Sequence, residues 1–146
     1  MSKENAQHRI NEQLEYYWYS LRGERSIPLE SDIDMAQLSG IWDYCFLVSV
    51  HADRFAYSYF GKALVEAYGD DITGHEITET LLYPHPHSLI KTFEQVRDSA
   101  TPHTDDSEFT NVHGRKVKYR SCVMPLGSHG AEGVTFLLGG MKWKAY

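Results

Sequence analysis

No stretch of the sequence approaches the roughly 20 consecutive apolar residues that a bilayer-spanning helix needs, and the first residues lack the basic-then-apolar profile of a secretory leader. The expected setting is therefore the cytoplasm, without a membrane partner. Cysteine is scarce. Cys45 and Cys122 are the only two, each inside an apolar run without CxxC or Cys/His spacing, which reads as buried, reduced thiols and argues against a structural zinc. Positive charge is also in deficit: Lys and Arg number 14 against 20 Asp and Glu, a formal net charge of −6. A chain of that sign repels a polyanion, so nucleic acid is not an expected partner. The chain has no Gly-x-Ser-x-Gly, no Gly-x-x-x-x-Gly-Lys-[Ser/Thr] and no Gly-x-Gly-x-x-Gly, which leaves no motif for a hydrolase or a phosphate cradle. His75-Glu76 opens like a zinc HExxH, but Glu79 stands where the second histidine belongs.

What remains is an ordinary globular composition with an excess of aromatics. Hydrophobic residues make up 42% and charged residues 23% of 146, enough for one domain that hides roughly 68–70% of its unfolded surface without cross-links. Aromatics reach 13%, with ten tyrosines.

Ile10, Leu14, Tyr17, Trp18 and Leu21 fall on one stripe of a 3.6-residue helix that ends near Gly23. Pro28 bars helical geometry at Ile27, so residues 1–27 read as a helix and linker and 28–146 as the globular unit. Asp32 or Asp34 can cap a short helix over Met35 to Leu38. The run from Ile41 to Val50 predicts a strand with Trp42, Tyr44, Phe46, Val48 and Val50 on one side. RFAYSYF, residues 54–60, predicts its hairpin partner, with Phe55, Tyr57 and Tyr59 alternating. A short helical stretch at Ala63, Leu64 and Ala67 stops at Gly69, and a second short helix is expected from Ile77 to Leu82. Leu89, Ile90, Phe93 and Val96 mark a longer helix between Ser88 and Asp98. Three strands close the chain: about Asp105 to Val112, Arg115 to Leu126, and Gly133 to Lys144. Helices inserted between a hairpin and a meander make an α+β plan around an antiparallel sheet.

Two blocks carry a family likeness. One is Pro28-Leu29-Glu30-Ser31-Asp32-Ile33-Asp34, a Pro-x-x-x-Asp-x-Asp segment. The other is an aromatic strand with Phe55 that ends in Gly61, a short helix with Leu64, then Gly69, Asp71, Thr73 and Gly74 in Gly-x-Asp-x-Thr-Gly. Together they resemble the PAS superfamily, and within it the small stand-alone bacterial PAS-like proteins with an extra amino-terminal helix. Relatives tend to carry an arginine two residues after the proline and a proline after the second aspartate, where this chain has Glu30 and Met35. The resemblance implies five strands in spatial order 2-1-5-4-3, with helices on one face and the additional amino-terminal amphipathic helix. On physical grounds, Gly69 and Gly74 serve chain reversals at positive φ, and Asp71 and Thr73 bond nearby backbone and cap the next helix.

The resemblance also implies a function: a non-enzymatic sensory or regulatory module in bacterial signalling, working through a small ligand, a protein partner, or both. It places any pocket between the sheet and the long helix, with Phe46, Tyr57, Phe93 and Tyr119 as candidate lining residues; the simpler alternative is that all four fill the core. Some relatives hold haem through a histidine on the long helix before the third strand, and His85 or His87 lies just ahead of Leu89, although an axial ligand alone does not make a haem pocket. Flavin photosensors use an Asn-Cys-Arg motif, which this chain lacks. With the implied order, Cys45 and Cys122 stand two strand spacings apart, about 9–10 Å, too far for a disulfide. Leu14, Tyr17, Trp18 and Leu21 are candidates for packing on the chain's own sheet or across a homodimer, because Tyr16 and Tyr19 point off the buried stripe. Lys116, Lys118 and Arg120 form a cationic stripe on one strand, joined by Lys142 and Lys144 on the next: a solvated face, or a docking surface for an acidic partner. An alternative of another class is an isomerase or dehydratase of the small α+β cone type, using Asp43 in an apolar cavity. A ligand-free adaptor is the third reading.

Overall fold

The structure is a computed structural model that describes residues 10–78 and 86–146, with side chains from residue 89 onward in the second stretch. Helix α1 (Ile10–Arg22) precedes short 3-10 turns at Glu30–Asp32, Met35–Leu38 and Trp42–Tyr44. Then come β1 (Cys45–His51), β2 (Arg54–Phe60), α2 (Lys62–Tyr68), α3 (Pro86–Ser99), β3 (His103–Thr110), β4 (Lys116–Leu126) and β5 (Phe136–Ala145). The five strands form one sheet in the order β2-β1-β5-β4-β3, with every pairing antiparallel. This is the order that the family resemblance implies.

The sheet is covered on both faces, and the strand period sorts its residues between two cores. On one face Phe46, Val48, Val50, Phe55, Tyr57, Val123 and Leu137 pack with Leu64 of α2 and Phe93 and Val96 of α3. On the other, Cys45, Cys122, Met124, Leu126 and Leu138 pack beneath Ile10, Leu14 and Trp18 of α1. Double cover explains why β4 is buried continuously from Ser121 to Leu126 while its first half alternates.

Two corrections concern β1 and β2. Trp42–Tyr44 is a 3-10 turn rather than strand, closed by the Tyr44 amide donating to the Ile41 carbonyl at 2.9 Å, so the strand starts only at Cys45. A bulge then breaks the simple alternation of β2: Leu47 pairs with Tyr59 but Val48 pairs with Tyr57, leaving Ser58 as the extra residue. The inserted residue turns Tyr59 onto the α1 face, away from Tyr57 and Phe55, where its ring stacks on Trp42 at 4.5 Å and its hydroxyl donates to the Trp42 carbonyl at 3.0 Å.

A third correction concerns the helix expected from Ile77. Ile77 and Thr78 are not helical, and the rest of that segment lies outside the described residues. Residues 74–77 run instead along the free edge of β2: the Gly74 amide donates to the Tyr57 carbonyl, the Tyr57 amide to that of His75 and the Ile77 amide to that of Phe55, at 2.6–3.1 Å. Asp71 and Thr73 shape this turn rather than cap a helix. The Asp71 Oδ1 accepts from the Thr73 amide at 3.0 Å and its hydroxyl at 2.7 Å, which holds the carboxyl below its ordinary range. Gly69 and Gly74 do sit at positive φ, +97° and +84°.

The Pro-x-x-x-Asp-x-Asp segment anchors α1 to the sheet. The Pro28 carbonyl accepts from the Gly127 amide at 2.9 Å, and the Glu30 amide donates to the Gly127 carbonyl at 2.8 Å, fixing the segment to the end of β4. Asp32 Oδ2 accepts from the Leu29 amide and from the Arg25 guanidinium at 2.6 Å, which lowers its carboxyl pKa. Arg25 thus supplies the guanidinium at Asp32, while position 30 is a glutamate. Asp34 caps the Met35–Leu38 turn through the Ala36 amide, and its own amide donates to the Tyr17 hydroxyl at 2.7 Å.

Candidate functional site

Between the sheet and the helical layer lies a cavity of about 80 Å³, with an almost wholly apolar wall. Phe46 reaches it from β1, Tyr57 and Phe60 from β2, Leu64 and Tyr68 from α2, and Tyr119, Ser121 and Met141 from β4 and β5. Three of the four residues proposed from sequence, Phe46, Tyr57 and Tyr119, therefore stand around one space. Phe93 does not line it. Its ring is fully buried behind the wall, with centroids 6.0 Å from Phe46 and 5.7 Å from Phe55.

The polar residues of the wall are Tyr57, Tyr68 and Tyr119, with Ser121 and Glu108. Burial pushes the Tyr57 hydroxyl pKa up, with Tyr119 and Tyr68 as lesser causes. Burial likewise raises Tyr119, whose hydroxyl bonds the Ser107 side chain, and Tyr68, to which Asp70 adds. All three are thus neutral donors and acceptors at any ordinary pH. Such a wall offers a ligand neutral hydroxyls in mostly apolar surroundings, with one carboxylate residue, Glu108, which also stands 3.8 Å from Lys116. Sequence reasoning missed Tyr68, Phe60, Ser121 and Met141. Tyr68 was the most accessible of these, since it follows Leu64 by one helical turn and faces the same way.

The cavity of about 80 Å³ fits neither haem nor flavin, because sites for organic ligands of that size run to at least about 300 Å³. His85 lies outside the described residues, and His87 is within α3 with its side chain undescribed. Both thiols belong to the other core, facing α1. Cys45 and Cys122 each pair with Gly140, on opposite sides of β5. Burial pushes both thiols up, Cys122 to about 12, so neither supplies a reactive thiolate near neutral pH.

Asp43 is displaced from the role suggested for it. It sits exposed in the 3-10 turn and does not line the cavity, because the chain bends before the strand begins. On α1, Leu14 and Trp18 are packed against the chain's own sheet, Tyr17 and Leu21 are half-buried, and Tyr16 and Tyr19 are 77% and 48% exposed. The basic residues of β4 do not form an unopposed stripe: Arg120 makes a two-point ion pair with Asp106 of β3, at 2.8 and 3.3 Å, and Lys116 stands 3.8 Å from Glu108. Among the described residues no helix is long and apolar enough to cross a membrane, and no cluster of His, Cys, Asp and Glu is arranged for a metal.

A family model described as "PAS domain" matches residues 6–141. Among solved structures, the chain is similar to the LOV domain of the blue-light-activated histidine kinase EL346 from Erythrobacter litoralis. That match has a TM-score of 0.55 at 9% identity and covers 70% of this chain and 95% of that one. It is also similar to the light state of the Aureochrome1 LOV domain, at TM-score 0.54 and 11% identity over 71% and 83% of the two chains. The Ile74Val variant of Vivid gives TM-score 0.51 and 12% identity over 66% and 79%. At these identities the likeness establishes the fold alone. No curated protein matches the chain. The match across nearly the whole sequence, on a sheet of order 2-1-5-4-3, makes this chain a member of the PAS domain family.

Proposed function

We propose that the chain is a sensory module that binds a small, mostly apolar ligand between the sheet and the helical layer and reports it by contact with a protein partner. The cavity lined by Tyr57, Tyr68 and Tyr119 carries this reading, because a mostly apolar space with a few polar side chains is the form small-molecule sites take. A ligand can shift such a module between states only by its difference in affinity for them. Asp43 gives no support to the isomerase alternative.

Xenon is the probe suited to a space of about 80 Å³, since apolar cavities of roughly 150 Å³ take up xenon or benzene. Under xenon pressure, amide shifts are expected at Phe46, Tyr57, Leu64 and Ser121 and not at the α1 core. Shifts absent there, or scattered over the surface, would leave the ligand-free adaptor, which the small volume of the cavity favours.

Homodimerisation through α1 belongs to the same reading, supported by the exposure of Tyr16 and Tyr19. Sedimentation should show a dimer that Tyr16→Ala with Tyr19→Ala converts to monomer; a native chain that is already monomeric removes this part.

A further inference from the structure

The buried half of β4 contains one hydroxyl. Strand alternation puts Tyr119, Ser121 and Val123 on the α2–α3 side of the sheet, where all three line the cavity, while Cys122 and Met124 face α1. Ser121 is 7% exposed and is one of three buried polar residues among those described. The other two spend their side chains on main chain: Asn11 donates to the Arg120 carbonyl at 3.2 Å and Asn111 to the Ala67 carbonyl at 3.1 Å. The Ser121 hydroxyl has no hydrogen-bond partner among the described residues.

A buried hydroxyl left without a partner costs stability, and at this position an alanine would pack as well. Tyr57, on the same cavity, also has a hydroxyl with no hydrogen-bond partner among the described residues, but its ring has a packing role of its own, with centroids 5.8 Å from Phe46 and 4.9 Å from Phe60. A serine contributes little besides its hydroxyl. Much of the remaining wall is hydrocarbon, from Leu64, Ile72, Val123 and Met141. The Glu108 carboxylate is exposed and stands 3.8 Å from Lys116.

We propose that the cavity takes a short-chain alcohol, with its hydroxyl bonded to Ser121 and its alkyl end among the aliphatic side chains of the wall. Size sets the chain length. Apolar cavities of roughly 150 Å³ hold benzene, so in proportion a space of about 80 Å³ holds about three or four non-hydrogen atoms, an alcohol of two or three carbons. Chemistry sets the class. An apolar gas leaves the serine unpaired and water leaves the hydrocarbon uncontacted, whereas an alcohol answers both. Its hydroxyl also donates and accepts, which suits a serine whichever way the serine proton points. This inference rests on the ligand-binding half of the proposed function and needs no partner protein.

The test uses the full chain, with 1-propanol followed by amide shifts and xenon as the apolar reference. Saturable shifts are expected at Tyr57, Leu64 and Ser121 at roughly millimolar propanol, a range open to so small a ligand. Ser121→Ala should weaken propanol by at least roughly threefold, the worth of one hydrogen bond, and leave xenon binding unchanged. Ser121→Cys, close in volume but only a weak donor, should weaken propanol by a similar factor. Without ligand, Ser121→Ala should keep or raise the urea midpoint, because it removes an unpaired buried hydroxyl. Equal propanol affinity in the native chain and both variants overturns the assignment to Ser121. A lowered midpoint or lost xenon binding in Ser121→Ala overturns it too, since either makes the serine structural. Tighter binding of acetone, which only accepts, than of 1-propanol overturns the alcohol. In the native chain, xenon shifts without propanol shifts sink the alcohol and keep the cavity reading, whereas the absence of both sinks the ligand reading itself.

Discussion

Trp18→Ala is expected to cost about 3–5 kcal/mol of folding stability, the range for deleting a fully buried large aromatic. The ring is 1% exposed in the core between α1 and the sheet. Its Nε1 donates to the Pro125 carbonyl at 2.8 Å, a buried bond across 107 residues of sequence. The alanine variant loses the packing and the donor together. Trp18→Phe keeps most of the apolar contact and removes only the donor, which leaves a buried carbonyl short of a partner at about 1–3 kcal/mol. Urea unfolding measures both through the midpoint. The order native, phenylalanine, alanine is the expected result. An alanine variant with a native midpoint would mean that α1 does not dock on this sheet.

Gly61→Ala should be comparably damaging, at about 3 kcal/mol or more, for a different reason. The φ of Gly61 is −62°, open to any residue, so no backbone strain is involved. A Cβ there would instead fall on the carbonyl group of Asp43 and within 2.8 Å of the Cys45 carbonyl oxygen, all of it main chain. The Gly61 amide also donates to the Cys45 carbonyl at 2.9 Å, so the two segments cannot separate without losing that bond. Gly74→Ala is the contrast within the same motif. Its φ is +84° and an added Cβ meets nothing within 4 Å, so only the left-handed penalty of about 1–2 kcal/mol applies. Equal urea midpoints for the two alanine variants would contradict the close approach at Gly61.

The sheet was legible in the sequence because β2 and the first half of β4 alternate over most of their length and because Gly114 and the glycines from 127 to 133 separate β3, β4 and β5. The α1 stripe was legible because Ile10, Leu14 and Trp18 repeat at helical spacing over a full helix. The turn at Trp42–Tyr44 was not legible, since its aromatic residues have the composition of a strand and the bend is set by tertiary contacts: the hydroxyl of Tyr59 on the Trp42 carbonyl and the proximity of Gly61. The bulge at Ser58 was hidden for the same reason, because an inserted residue changes register without changing composition. Of the site, the strand residues Phe46, Tyr57 and Tyr119 followed from alternation once the family order was assumed. Phe93 did not, because a stripe residue on α3 can either line a space or fill it, and the choice depends on the depth of the neighbouring rings. Buried Asn111 was also invisible. Its side chain donates to the Ala67 carbonyl and accepts the His113 and Arg115 amides, tying the β3–β4 turn to α2.

The two glycines in the middle of β5 set how thin the partition between the cores is. A Cβ on Gly139 would fall on the Phe46 ring, and one on Gly140 would come within 2.8 Å of Leu14. At that spot a cavity-lining ring and a helix side chain rest on bare main chain from opposite sides, with no intervening side chain to soak up a displacement. A push on Phe46 therefore has its shortest route to α1 straight through the central strand, and the exposed tyrosines of that helix stand at the far end of it.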